Sequence, residues 1–280
     1  MKIVVKQEGE LLDYLLNNTD ISHKNIKKYL KNGLIYVDGT RTTKFNYPVH
    51  NKSVIKIETK KQNIASLPFD IIYEDENLIV VDKPSGLLSI ATAKEKEETC
   101  YHIVREYLKS KNKNAKVFVI HRLDKDTSGI LILAKNEYTK NLFQKNWDEY
   151  AKKRSYIAIV HGRMEQEEKR LVYFLKETKT NLVYISKNND GKKAITNYKV
   201  IKSNDEYSKL NITIETGRKN QIRVSLAHIN HPILGDKKYG NDKEKRLYLH
   251  ADKLEIYNPI EKKIMKFISK TPNDFNKKIK

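Results

Sequence analysis

VFVIHRLDKDTSGILILAKN, residues Val117–Asn136, sets two apolar runs around a polar loop. Val117–Ile120 and Ile130–Ala134 predict strands. The nine residues between them, His121–Gly129, hold His121, Arg122, Asp124, Lys125, Asp126, Thr127 and Ser128. Function concentrates in loops that rigid strands carry. Gly129 supplies backbone freedom where the loop re-enters the second strand. Thr127 and Ser128 can hydrogen-bond nearby backbone and hold the turn. On composition alone the stretch reads first as a charged surface hairpin.

The chain around it has 280 residues, enough for one large domain or a large and a small one. Its 55 basic and 35 acidic residues give a formal net charge of +20. That excess favours a polyanionic partner, nucleic acid before membrane surface. Cys100 is the single cysteine, which excludes an internal disulfide and a cysteine-built metal site. A reducing, cytoplasmic setting is expected. The start MKIVVKQEGE lacks the apolar core of a signal sequence, and no apolar run approaches membrane-spanning length, so a soluble protein with no membrane partner is expected.

Upstream, Leu11–Asn18 predicts a short helix. A second runs from the N-cap Ser22 to the stop at Gly33. Lys24, Lys27, Lys28 and Lys31 share one face of it, with Ile26 and Leu30 opposite, at ~100° per residue. Asp38-Gly39 predicts a hairpin turn before a strand that carries Arg41 and Lys44. Helix and hairpin together offer a basic, phosphate-facing surface. Val54–Ile57 closes this unit, expected at residues 1–60, and the polar residues 61–68 predict a linker.

From Phe69 to the C-terminus a larger domain, residues 69–280, is expected. Ile71–Tyr73 and Leu78–Val81 predict strands. VDKPSGLLS, Val81–Ser89, predicts a rigid turn through Pro84 and Gly86. Glu97–Lys109 predicts a helix in which Cys100 packs, and Thr139–Lys152 another, with Phe143 and Trp147 in its core. Lys152–Gly162, Leu171–Ser186, Lys192–Lys202, Lys209–Thr216 and Arg246–Glu255 predict strands. In TGRKNQIRVSLAHINHPILGDKKYG, Thr216–Gly240, a helix begins at Asn220, with Arg218 at the turn before it. Arg223 lies beside that helix's apolar stripe, and a buried guanidinium needs a carboxylate partner. A frayed, lysine-rich end is expected at Lys277–Lys280.

The stretch from Leu11 to Glu58 resembles the S4 RNA-binding domain. HRLDKDTSG resembles the signature loop of the RluA-type RNA pseudouridine synthases, and VDKPSGLLS, KRSYIAIVHG, GRKNQIRVSLAHINHPILGDKKYG and LYLHADKL agree with that family in order, across Phe69–Thr271. The resemblance implies an α/β (α+β) fold with a large, mostly antiparallel mixed sheet flanked by helices. It implies Asp124 as the catalytic carboxylate, Arg223 paired with it, Tyr156 against the target base, and Arg122 filling the gap a flipped base leaves. His121 sits beside the site. Arg122, His121, Arg218, Lys24, Lys27, Lys28, Lys31 and Arg41 are the residues expected on RNA. Asn220 and Ser225 stand where many members carry His.

The residue types suit the reaction. The N1–C1′ bond breaks, uracil turns, and C5 bonds to C1′. A carboxylate serves at C1′ or C2′, a neighbouring guanidinium is expected to lower its pKa, an aromatic face holds the flipped base, and a tyrosine can relay the C5 proton. No cofactor or metal is needed. Ribosomal RNA is favoured as substrate over transfer RNA, and a monomer is expected. Two rival readings are a metal-dependent RNA hydrolase using His121, Asp124 and Asp126, and a non-catalytic RNA-binding protein.

Overall fold

In the computed structural model all residues are described except 32, 58–66, 93, 94, 96, 97, 241, 243 and 280. The chain divides into two units, Met1–Ala65 and Ser66–Lys280. Most of the expected linker lies outside the described residues.

In the first unit, helices Leu11–Asn18 and His23–Lys31 cover a four-stranded antiparallel sheet, ordered Lys2–Val4, Val54–Ile57, Ile35–Val37, Thr40–Thr42. Val5, Leu11, Leu15, Ile26, Ile35 and Ile55 are fully buried in its core. The second helix divides as its periodicity predicts: Ile26 and Leu30 are buried, and Lys24, Lys27, Lys28 and Lys31 are exposed. Asp38 and Gly39 turn the hairpin with φ of 48° and 82°, the left-handed pair that a two-residue turn of this twist requires. The Asp38 carboxylate accepts from Ser53 Oγ at 2.8 Å and from the Val54 N–H at 2.7 Å. Arg41 donates Nε to the Gly33 carbonyl at 2.8 Å, so it also braces the end of the lysine helix.

The second unit is built on an 11-stranded sheet. Its main path runs Val183–Ile185, Glu168–Glu177, Lys192–Ser203, Tyr207–Ile214, Ala151–His161, Leu249–Asn258, Ser128–Ala134, Leu78–Lys83, Ile71–Glu74. Lys263–Ile268 pairs with Leu249–Asn258, and Phe118–Val119 pairs with Ser128–Ala134. One seam is parallel: Ser128 and Gly129 against His250 and Ala251. Gly129 makes that seam possible. Its φ is +111°, and a Cβ there would stand 2.2 Å from the Ala251 carbonyl oxygen. Ser128–Ala134 is buried throughout, as its unbroken apolar run requires. Helix Cys100–Lys111 covers one face of this end of the sheet, burying Cys100, Val104 and Leu108 against Ile79, Leu131 and Leu133. Cys100 is packing, its thiol pushed up to about 12 by burial. Helix Gln221–His228 sets Ile222 and Leu226 into the core formed by Ile157, Ile159 and Ile212.

Three expectations change. The helix predicted over Thr139–Lys152 is Glu137–Lys145 followed by a separate turn, Trp147–Tyr150, because Asn146 leaves helical backbone at φ −122°, ψ 25°. The strand predicted over Leu171–Ser186 is a hairpin that turns between Glu177 and Val183, where Asn181 takes φ +65° and Thr178 Oγ1 accepts the Leu182 N–H at 3.1 Å. The C-terminus is docked through Lys278 rather than frayed: helix Asn273–Lys278 buries Phe275 completely, and Lys278 Nζ reaches Glu244 at 2.7 Å. Among the described residues, no helix is long and apolar enough to cross a membrane.

Candidate active site

The loop that follows Phe118–Val119 opens on a cleft of about 690 Å³ at the centre of the large sheet. Asp124, Tyr156 and Arg223 all line it, and so do His121, Arg122 and Arg218. Residues expected to meet therefore do meet, although they come from a loop, a strand and a helix far apart in sequence. Lys24, Lys27, Lys28, Lys31 and Arg41 belong to the other unit.

VDKPSGLLS forms the bed of the Asp124 loop, a role beyond the plain turn that its proline and glycine predict. Lys83 is fully buried, and its Nζ donates to the carbonyls of Pro84, Leu87 and Lys125 at 2.9, 2.8 and 3.0 Å. Burial lowers its pKa to about 8. Ser85 Oγ donates to the Asp126 carbonyl at 2.6 Å. Ser89 Oγ donates to the Leu123 carbonyl at 2.7 Å and accepts the Leu123 N–H at 3.1 Å. A polar group in a dry interior is costly unless bonded, so a satisfied ammonium with these hydroxyls fixes the backbone on both sides of Asp124.

Arg223 is buried, and its main partner is not Asp124. Nε and Nη2 each donate to the Asp236 carboxylate at 2.8 Å, while Nη1 stands 3.6 Å from Asp124 Oδ2. Asp236 Oδ1 also accepts the backbone N–H groups of Lys238 and Tyr239, at 2.9 and 3.0 Å. The carboxylate that a buried Arg223 demands is thus Asp236 first, and the expected ion pair with Asp124 forms beside it. Burial alone would lower the guanidinium's pKa, but the bonds and charge of Asp236 outweigh it and leave the pKa raised.

Asp124 itself is 25% exposed, toward the cleft. Its pKa is raised, not lowered. Burial dominates, against opposing pulls from Arg223, Arg122 and Lys83. The expected electrostatic lowering is present, Arg223 first, but loses to desolvation. The Tyr156 hydroxyl is pushed up to about 12 by burial, with the Asp124 charge adding to the shift, so it keeps its proton.

His121 and Trp147 form one wall, stacked at 4.6 Å between centroids and 10° between planes. Trp147, read from spacing as core, packs against the core and also lines the cleft. His121 Nε2 accepts the Ile132 N–H at 3.1 Å, and burial, aided by the Arg154 charge, pushes its pKa down to about 3. The ring is neutral, with one nitrogen committed to the backbone. Among the described residues, no three His, Cys, Asp or Glu side chains converge as a metal site would require. Arg154 was missed by sequence reading. It is buried, lines the cleft, and donates Nη2 to the Glu215 carbonyl at 2.6 Å. Arg218 lines the same edge, with Nε on the Lys193 carbonyl at 3.1 Å.

The cleft thus gathers a carboxylate beside a shared guanidinium, a phenol and a stacked pair of rings. Residues 77–228 match the family model described as RNA pseudouridylate synthase. The ribosomal large subunit pseudouridine synthase D of Borreliella burgdorferi is 33% identical, over 98% of this chain and 90% of its own length. An uncharacterized RNA pseudouridine synthase of Bacillus subtilis is 32% identical over 76% of each chain. The solved structure of human RNA pseudouridylate synthase domain containing 4 shares the fold, with a TM-score of 0.64 and 22% identity over 76% of this chain and 92% of its own. The chain belongs to the RNA pseudouridine synthase family: it is an isomerase that converts uridine to pseudouridine in RNA.

Proposed function

We propose that the enzyme modifies uridine in large-subunit ribosomal RNA, with Asp124 as its catalytic carboxylate. The target base leaves its stack and lies against Tyr156 in the cleft, and Arg122 enters the gap it leaves. Asp124 acts at the sugar, as nucleophile on C1′ or as base at C2′. The N1–C1′ bond breaks, the ring turns, and C5 bonds to C1′. The C5 proton then leaves and N1 gains one, so no atom is gained or lost overall. Tyr156, protonated up to about 12, serves as a hydroxyl relay that takes up that proton only as it passes its own on. His121 and Trp147 bound the base, and Arg218 meets phosphate.

The observation that carries this reading is the cleft itself: Asp124 opens on it together with Arg223 and Tyr156, on a loop braced by Lys83. The choice of ribosomal over transfer RNA follows the name of the Borreliella relative and the S4-like character of residues 1–60. In this reading that unit binds phosphates through Lys24, Lys27, Lys28 and Lys31, with Arg41 beside them, and joins a catalytic domain at 69–280 through a linker. The same reading makes the enzyme a cytoplasmic monomer.

The test is a pseudouridine map, made with a label specific for that nucleoside, of ribosomal and transfer RNA from cells lacking the gene. Loss of one or more ribosomal sites, restored by the wild-type gene but not by Asp124→Ala, supports the proposal. Loss confined to transfer RNA moves the substrate, and restoration by Asp124→Ala removes the catalytic assignment.

A further inference from the structure

Asp124 meets Arg223 on one side and Asn220 on the other. Asn220 holds φ 52°, ψ 20°, the left-handed region, directly before helix Gln221–His228. Asparagine visits that region more readily than most residues. One end of its amide lies 2.7 Å from Asp124 Oδ2 and 3.3 Å from Oδ1, and the other end 2.9 Å from the Tyr239 hydroxyl.

The partners decide which end is nitrogen. Amide oxygen toward an ionised Asp124 would set two acceptors 2.7 Å apart, offset only by a long 3.3 Å bond from Arg223 Nη1. Nδ2 toward Asp124 donates to both carboxylate oxygens and frees the amide oxygen to accept from Tyr239. The Tyr239 hydroxyl in turn accepts the Val183 N–H at 3.2 Å, so its own proton is available for Asn220.

We propose that Val183 N–H, the Tyr239 hydroxyl and the Asn220 amide form a one-directional hydrogen-bond chain that orients Asp124 and favours its ionised form. Asn220 and Tyr239 are then positioning residues, and the inference rests on Asp124 being the catalytic carboxylate. The chain begins on the outermost strand, Val183–Ile185. Lys219 clasps the turn of that hairpin through Glu177 and Asn181, and Lys238 Nζ holds the Asn181 carbonyl at 2.8 Å. The edge of the sheet thus bears on the carboxylate at its centre. Hydrogen bonds donated to a carboxylate oppose its protonation. The other charged or titratable groups around Asp124 are Arg223 with Asp236 behind it, Arg122, Lys83, Lys238 and Tyr156.

The experiment is a set of pH–rate profiles for pseudouridine formation by the full chain: wild type, Tyr239→Phe, Asn220→Gly, Asn220→His and Asp124→Asn. Tyr239→Phe keeps the ring that packs 5.3 Å from the Arg223 guanidinium carbon, and Asn220→Gly suits the left-handed backbone. Melting curves establish that each variant is folded, and either one carries the test alone. The expected result is kcat lower by about tenfold in Asn220→Gly, the size of one lost bond to a charged group, and by about threefold in Tyr239→Phe, which loses a neutral bond one step back. The acid limb of kcat/KM moves up by about one pH unit in Asn220→Gly and by about half a unit in Tyr239→Phe, with RNA affinity within about twofold of wild type. Asn220→His, whose neutral ring can donate an N–H, stays closer to wild type in rate and limb than Asn220→Gly. A wild-type acid limb in folded Tyr239→Phe or Asn220→Gly, or a loss confined to KM, overturns the chain. An active Asp124→Asn overturns the parent assignment instead, so the two failures read differently.

Discussion

Arg223 gives Nε and Nη2 to Asp236 at 2.8 Å each and reaches Asp124 only through Nη1, at 3.6 Å. The guanidinium is therefore shared unequally between two carboxylates. Asp236, fully buried, holds it in place, and Asp124 faces the cleft at the longer distance.

Asp236→Asn is expected to break this arrangement at its anchor. Removing one charge of a buried pair costs roughly 3–5 kcal/mol, and Arg223 is then free to close on Asp124. Denaturant melts should record the destabilisation. Folded enzyme should show kcat down by about tenfold or more, although Asp236 is not among the residues lining the cleft.

Asp124→Asn is expected to stabilise the protein. The folded pKa of Asp124 lies above its ordinary 3.8, so its contribution to stability is full below that value and is lost as pH rises through the raised one. The variant should therefore melt higher than wild type at pH 8, and the gap should shrink toward acid pH. The same shift puts the acid limb of wild-type activity above the usual carboxylate range. His121, neutral above about 3, should contribute no limb near neutrality.

Gly129→Ala is expected to destabilise by roughly 3 kcal/mol or more. The new Cβ would meet Ala251 backbone atoms at 2.2 and 2.7 Å on a backbone held at φ +111°. Thermal melts and soluble yield report it directly.

Glutamine at Lys24, Lys27, Lys28 and Lys31 together is expected to weaken RNA binding with little effect on stability, since all four are exposed. The slope of log affinity against log salt should flatten by about 0.7–0.9 for each lysine that meets a phosphate. An unchanged slope would remove this face from the RNA interface.

Local patterns were legible in advance. The lysine face opposite Ile26 and Leu30, the Asp38-Gly39 turn and the buried run Ser128–Ala134 each follow from periodicity or turn chemistry within a few residues. The Asp124 loop was legible too, since apolar runs bracket it on both sides. What stayed hidden depends on distant packing. Asp236 follows Arg223 in the chain, but nothing local marks it as the buried partner. Lys83 reads as one lysine among many until burial sets three carbonyls around it. Trp147 has helical spacing, yet it turns onto His121 because the helix ends at Asn146. The direction of the Asp124 shift depends on desolvation, which only the folded cleft determines.

The most direct measurement is single-turnover pseudouridine formation on ribosomal RNA by purified Asp124→Asn, with RNA affinity measured on the same preparation. The account predicts wild-type affinity and no pseudouridine above background. Product formed at the wild-type rate would contradict it.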